Sequence, residues 1–185
     1  MSQDVVDLIM NDHREVERLF AQLKAEPATR ANVVPVLTTL LTAHSRAEEA
    51  EVYPAAKSEA GETEEVEHSQ EEHLEADKLL KKLIATDPTA PEFETALAEL
   101  EKAITHHVEE EESKVLPGLR SGLEADRLVS LGEAFLASRE EHLGEQPVDL
   151  RKQDLLQQAM NAGLPGAWEM SKDELEKALS ARAES

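Results

Sequence analysis

Apolar side chains recur at steps of three and four over the first two thirds of the chain, the period of helices with one face turned inward. The first stretch carries Val5, Ile9, Val16, Phe20 and Leu23 and ends near Glu26-Pro27. A second carries Leu37, Leu41 and Val52, with Pro54 expected to close it. After a polar connection through Gly61, a third carries Val66, Ala76, Leu80 and Leu83. The segment TDPTAPE breaks the chain, with Pro91 where a helix can start, and a fourth stretch carries Phe93, Leu97, Leu100 and Ile104 before an expected end at Pro117-Gly118.

Polar residues interrupt these stripes at matching places. His13, His44, Glu48, Ser69, His73, His107 and Glu111 all fall on the inward positions of their own helices. The two halves also repeat. DHREVERLFAQL (12–23) aligns with EHLEADKLLKKL (72–83), and HSRAEEAEVYP (44–54) with HVEEEESKVLP (107–117), at offsets of 60 and 63 residues. Two similar antiparallel helix pairs predict an all-α, up-down-up-down four-helix bundle. The stretch EADRLVSLGEAFLASREEHL adds a fifth helix packed outside, so residues 1–145 read as one bundle domain. Residues 146–185 read as a short two-helix tail in which Ser171 and Glu174 form a capping box.

Composition narrows the partners. A formal net charge of -21 lacks the basic footprint that nucleic acid or an anionic membrane requires. Eleven Glu and one Lys between Glu48 and Glu75 read mainly as solvated surface. With no cysteine, disulfides and thiolate sites are excluded. No cleavable leader or membrane-length apolar run is present, so the expected location is the cytoplasm.

An ionised carboxylate on an inward stripe costs several kcal/mol unless a positive group faces it. No Lys or Arg lies on the four stripes at the level of Glu48 and Glu111. A bound cation is the economical partner, and His13, His44, His73 and His107 complete a donor set suited to a two-metal centre with positions left for an outside ligand. Iron ranks ahead of manganese and zinc, and no catalytic residue beyond the ligands is expected. His68 lies about 140° round its helix from His73, His106 beside the seam and His142 in the fifth helix; all three read as bystanders, and Lys114 as solvent-facing. Tyr53, just before Pro54, is a candidate extra ligand or hydrogen-bonding neighbour of the site.

In combination, DHREVERLF, HSRAEEAEVYP, EHLEADKLL and HVEEEESKVLP resemble the hemerythrin-like, or HHE cation-binding, family over about residues 4–117. The resemblance implies two non-haem iron ions with an oxo or hydroxo bridge, with the four histidines as terminal ligands and Glu48 and Glu111 as bridges. The oxygen-carrying branch has an HxxxH pair in its third helix; here the positions four from His73 are Ser69 and Asp77, and the fourth-helix acid comes four residues after its His instead of five. Both departures resemble HHE proteins linked to peroxide, nitric oxide or iron-centre repair. The implied function is binding or turnover of a small oxygen or nitrogen species, most concretely catalase-like peroxide disproportionation. The alternatives are oxygen or nitric oxide sensing or iron donation, with the tail docking a protein partner, and a bundle that zinc merely stabilises. The tail also resembles the small two-helix motif of Rho termination factor over about twenty residues, but it carries more acid than base, so no nucleic-acid partner follows.

Overall fold

Asp4 starts the first helix, α1 (Val5–Ala25), by accepting a hydrogen bond from the Asp7 amide at 2.9 Å, one of the four donors a helix start leaves free. From there the computed structural model describes residues 3–183, and every regular element among them is helical. A turn at Pro27–Thr29 leads into α2 (Arg30–Ala47). The same rod continues through a π-helical turn (Glu48–Val52), α3 (Tyr53–Ala55) and a second π turn (Ala56–Ala60). It ends at Gly61, whose φ of +79° suits a residue without Cβ at a helix C-terminus.

The expected stop at Pro54 is therefore corrected. Proline ends an α-helix because its ring crowds a carbonyl and it lacks an N–H. Here the helix widens first: the Tyr53 amide bonds to the Glu48 carbonyl, five residues back. In that register Pro54 leaves the Glu49 carbonyl without a donor, and Asn161 Nδ2 supplies one at 2.9 Å from far along the chain. The matching expectation at Pro117 is corrected differently. After α4 (Thr63–Ala85), α5 (Glu92–Ser113) breaks at Lys114, and Pro117 sits in the first turn of α6 (Val115–Gly122), where a missing N–H is harmless.

The helices α1, α2, α4 and α5 form the bundle, and α7 (Ala125–Glu141) packs along α1 and α2. The last two helices, α8 (Lys152–Asn161) and α9 (Lys172–Arg182), lie on α4 and on the first π turn. Their small core of Leu155, Ala159, Ala167, Leu175 and Leu179 takes in Leu74 from α4. Ser171 and Glu174 make the reciprocal capping box.

The main core has two apolar layers. One holds Val5, Ile9, Val52, Val66, Leu119 and Phe135; the other holds Val16, Phe20, Leu41, Leu80, Leu97 and Leu100. Between them, His13 follows Ile9 and precedes Val16 along α1, and the same change of chemistry occurs on the other three bundle helices. Each fully buried Leu or Phe contributes roughly 2 kcal/mol, whereas a buried unpaired carboxylate costs several. A polar layer at mid-bundle therefore answers to something other than packing.

Candidate metal centre

The polar layer contains the six residues singled out on the stripes. His13, His44, Glu48, His73, His107 and Glu111 are each no more than 5% exposed, and both glutamates are fully buried. Ligand-type atoms of His13, His44, Glu48 and Glu111 lie within 4.8 Å of one another, as do those of Glu48, His73 and His107. Glu48 spans both groups: Oε1 is 3.2 Å from His44 Nε2, and Oε2 is 3.4 Å from His73 Nε2. Glu111 Oε2 lies 3.3 Å from His13 Nε2 and 3.9 Å from His107 Nε2. Every carboxylate oxygen of the two glutamates, and His13 Nε2, is buried without a hydrogen bond. Converging acceptors of this kind are what a pair of cations would satisfy, and the donor set of imidazoles and carboxylates suits iron, manganese or zinc.

The outward nitrogens argue the same way. Each ligand-type histidine has a carboxylate at Nδ1: Glu112 for His13 at 2.9 Å, Asp12 for His44 at 3.2 Å, Glu49 for His73 at 3.2 Å and Glu72 for His107 at 2.9 Å. An Nδ1–H that donates outward aims the Nε2 lone pair inward, the arrangement that orients histidine on metals. Three of these carboxylates are themselves held by arginine. Arg139 of α7 binds Asp12, Arg14 binds Glu112, and Arg46 NH1 donates to Glu49 at 3.0 Å while its NH2 donates to Asp77 at 2.6 Å. Gln70 and Gln158 also donate to Glu49, at 2.9 and 3.1 Å.

Electrostatics follows from this packing. Burial opposes charge on His44 and His73, but Glu48 with Asp12, and Glu48 with Glu49, outweigh it and raise both imidazoles to about 10. His13 is raised too, Glu111 overcoming its burial. Glu48 is held well below the usual carboxylate range because His44 and His73 outweigh its burial. A metal held here would need each imidazole to present a bare Nε2, so its binding would compete with protons for these side chains.

Tyr53 is fully buried with its hydroxyl 3.0 Å from His73 Nε2, at the edge of the centre. Burial, then Glu111 and Glu48, push its phenol well above the ordinary value, so it stays protonated. A small cavity of about 10 Å³ adjoins the imidazoles and is roofed by Val16, Leu41, Ile104 and Val108; that is close to the room one water needs. His142 is buried at the end of α7 against Glu145, while His68 and His106 lie outside the layer; Lys114 is exposed and bonded to Glu110.

A sequence model of the hemerythrin HHE cation binding domain matches residues 4–119. The chain belongs to that family. The HHE domain thus covers the four bundle helices and most of α6, and metal binding goes with it. Among curated proteins, the chain is 30% identical over 148 residues to a Nostoc protein named DNA nickase, an alignment covering 77% of this chain and 42% of that protein. It therefore spans less than half of that relative. No solved structure matches it significantly. Among the described residues, no helix is long and apolar enough to cross a membrane.

The residues that the sequence pattern did not single out for this HHE site are the orienting groups. Asp12, Glu49, Glu72 and Glu112 are chain neighbours of His13, Glu48, His73 and Glu111, and each recurs in the internal repeat. That recurrence was the available signal. Arg46, 3% exposed despite its charge, and Gln158, a hundred residues away, gave none.

Proposed function

We propose that the HHE domain holds two iron ions, with His13, His44, His73 and His107 as terminal ligands and Glu48 and Glu111 as bridges, and that it binds or turns over a small oxygen or nitrogen species. The supporting observation is the set of orphaned Glu48 and Glu111 oxygens facing four imidazoles whose Nδ1 atoms are fixed by carboxylates. Iron supplies Lewis acidity and one-electron exchange when bound. The chain does the rest: the two apolar layers keep bulk water out, and the carboxylates hold each imidazole in one tautomer. The Tyr53 hydroxyl, a protonated donor, is placed to hydrogen-bond an incoming oxygen atom.

The cavity beside the imidazoles, about 10 Å³, has no room for an organic substrate, which favours a small species such as hydrogen peroxide or a diatomic. Hydrogen peroxide is the most concrete candidate: one molecule is oxidised to O2, releasing two electrons and two protons, and these reduce a second to two waters. The test is oxygen evolution on adding peroxide to iron-loaded protein. It should be rapid in the wild type and lost in His44→Ala and Glu111→Ala. Iron-loaded protein that evolves no oxygen refutes peroxide turnover.

One observation favours a sensing role instead. Gln158 and Asn161 of α8 bond directly to Glu49, which orients His73, so a change at His73 reaches the C-terminal helices through one residue. A coloured, peroxide-inert protein whose α8–α9 protease sensitivity changes with oxygen or nitric oxide would establish that reading. DNA nicking is not carried onto this chain, which covers 42% of the protein so named and has a net charge of -21.

A further inference from the structure

Of the four carboxylates that hold ligand-type imidazoles, Glu72 alone has no arginine or lysine bonded to it among the described residues. Asp12, its counterpart in the repeat, is met by Arg139 of the fifth helix. Beside Glu72, on α4 and α5, stand two exposed imidazoles, His68 and His106. Glu72 Oε2 accepts from His107 Nδ1 at 2.9 Å, while Oε1 is buried, without a hydrogen bond, and 3.5 Å from both His68 Nε2 and His106 Nε2. Glu110 Oε2 closes the group, 3.4 Å from His68 Nε2; it also accepts from Lys114 Nζ at 2.7 Å.

These residues repeat the inner pattern. His68-Glu72 on α4 and His106-Glu110 on α5 are both His-x-x-x-Glu, the spacing of His44-Glu48 and His107-Glu111, and they face each other across one helix seam. We infer that His68, His106, Glu72 and Glu110 form a second, mononuclear site for a divalent transition-metal ion, outside the inner layer and joined to it by the Glu72 carboxylate. Donors about 2.1 Å from a tetrahedral zinc ion stand about 3.4 Å apart. Three of the donor separations measure 3.4, 3.5 and 3.5 Å, and ligand-type atoms of His68, His106 and Glu110 lie within 4.8 Å of one another. Two neutral imidazoles and two carboxylates also leave the bound ion electrically neutral, so the site asks for a dication, and imidazole selects zinc or ferrous iron over calcium or magnesium. Lys114, half exposed, holds Glu110 until the ion displaces it. Because Glu72 also holds His107, an ion at the surface alters the carboxylate that orients an inner ligand.

The inference does not depend on the inner centre holding iron. Zinc is titrated calorimetrically into full-length protein already loaded with iron, alongside the His68→Ala/His106→Ala variant; both substituted side chains are more than half exposed, so the fold is not at risk. The wild type should take up one equivalent of zinc per chain beyond its iron. The variant should bind that equivalent at least 10- to 100-fold more weakly, since losing a ligand costs no less than losing an orienting partner, with iron content unchanged. His13→Ala/His44→Ala, which breaks the inner layer alone, should keep the surface equivalent even where iron is lost. No extra zinc in the wild type, or equal uptake by the wild type and the surface variant, would overturn the site whatever the inner centre proves to hold.

Discussion

Replacing Glu49 by Gln tests whether the groups around the polar layer hold it in shape. The carboxylate receives four donors, Arg46 NH1, Gln70 Nε2, Gln158 Nε2 and His73 Nδ1, all within 3.3 Å. Glutamine keeps the volume but turns one oxygen into an NH2 group that meets donors with a donor. Leaving one or two buried donors unsatisfied costs about 1–3 kcal/mol each. Arg46 keeps Asp77, so the full 3–5 kcal/mol of a broken buried pair is not reached. A second route gives a similar size. Arg46 and His73 outweigh burial and bring Glu49 from 4.5 to about 2, a shift worth about 3 kcal/mol. Because the folded-state value is the lower one, this stabilisation is complete above about pH 5 and is lost as the pH falls towards 2. Urea unfolding of metal-free protein at neutral pH should therefore show Glu49→Gln less stable by about 3 kcal/mol, with the gap closing in acid. In parallel, chelator competition on loaded protein should show metal bound about 10- to 100-fold more weakly, because His73 loses its orienting acceptor. A variant within about 1 kcal/mol of wild type that keeps its metal as tightly would refute both the hydrogen-bond accounting and the link from Glu49 to His73.

Other expectations follow from the same contacts. Gln158→Leu, fully buried and remote from the ligands in sequence, should weaken metal retention by about tenfold or more through Glu49 alone, measured by chelator competition. Tyr53→Phe should destabilise by about 1 kcal/mol, the worth of one buried hydrogen bond; it should retain bound metal and slow the peroxide turnover proposed above, and a rate equal to wild type would remove the hydroxyl from that chemistry. Gly61→Ala should cost about 1 kcal/mol in chemical unfolding, because φ of +79° strains any residue with a Cβ.

What could be read in advance follows from geometry. The ligand-type residues were legible because each sits on an apolar stripe, where a His or Glu stands out against Leu and Ile. Their orienting carboxylates sit about 100° round the helix, among 40 Asp and Glu residues that look like surface. Arg46 was illegible for a related reason: charge predicts exposure, and only the converging Glu49 and Asp77 make its burial affordable. The two prolines show the limit of local rules. Pro54 and Pro117 occupy matching places in the repeat, yet one is absorbed by a π turn and the other starts a new helix. The difference at Pro54 is a hydrogen bond from Asn161, more than a hundred residues away.

The pattern of orienting acids has a bearing on how such a molecule can be divided. Within each half of the chain one acid serves that half's own imidazole, Asp12 for His44 and Glu72 for His107; across the halves, Glu49 serves His73 and Glu112 serves His13. Every role in the first half has its twin in the second, so two identical half-length hairpins related by a two-fold axis would meet all four needs, whereas a lone hairpin would leave one imidazole unsupported. A break in the backbone near Gly61 should consequently be survivable, with the two pieces recombining around their metals.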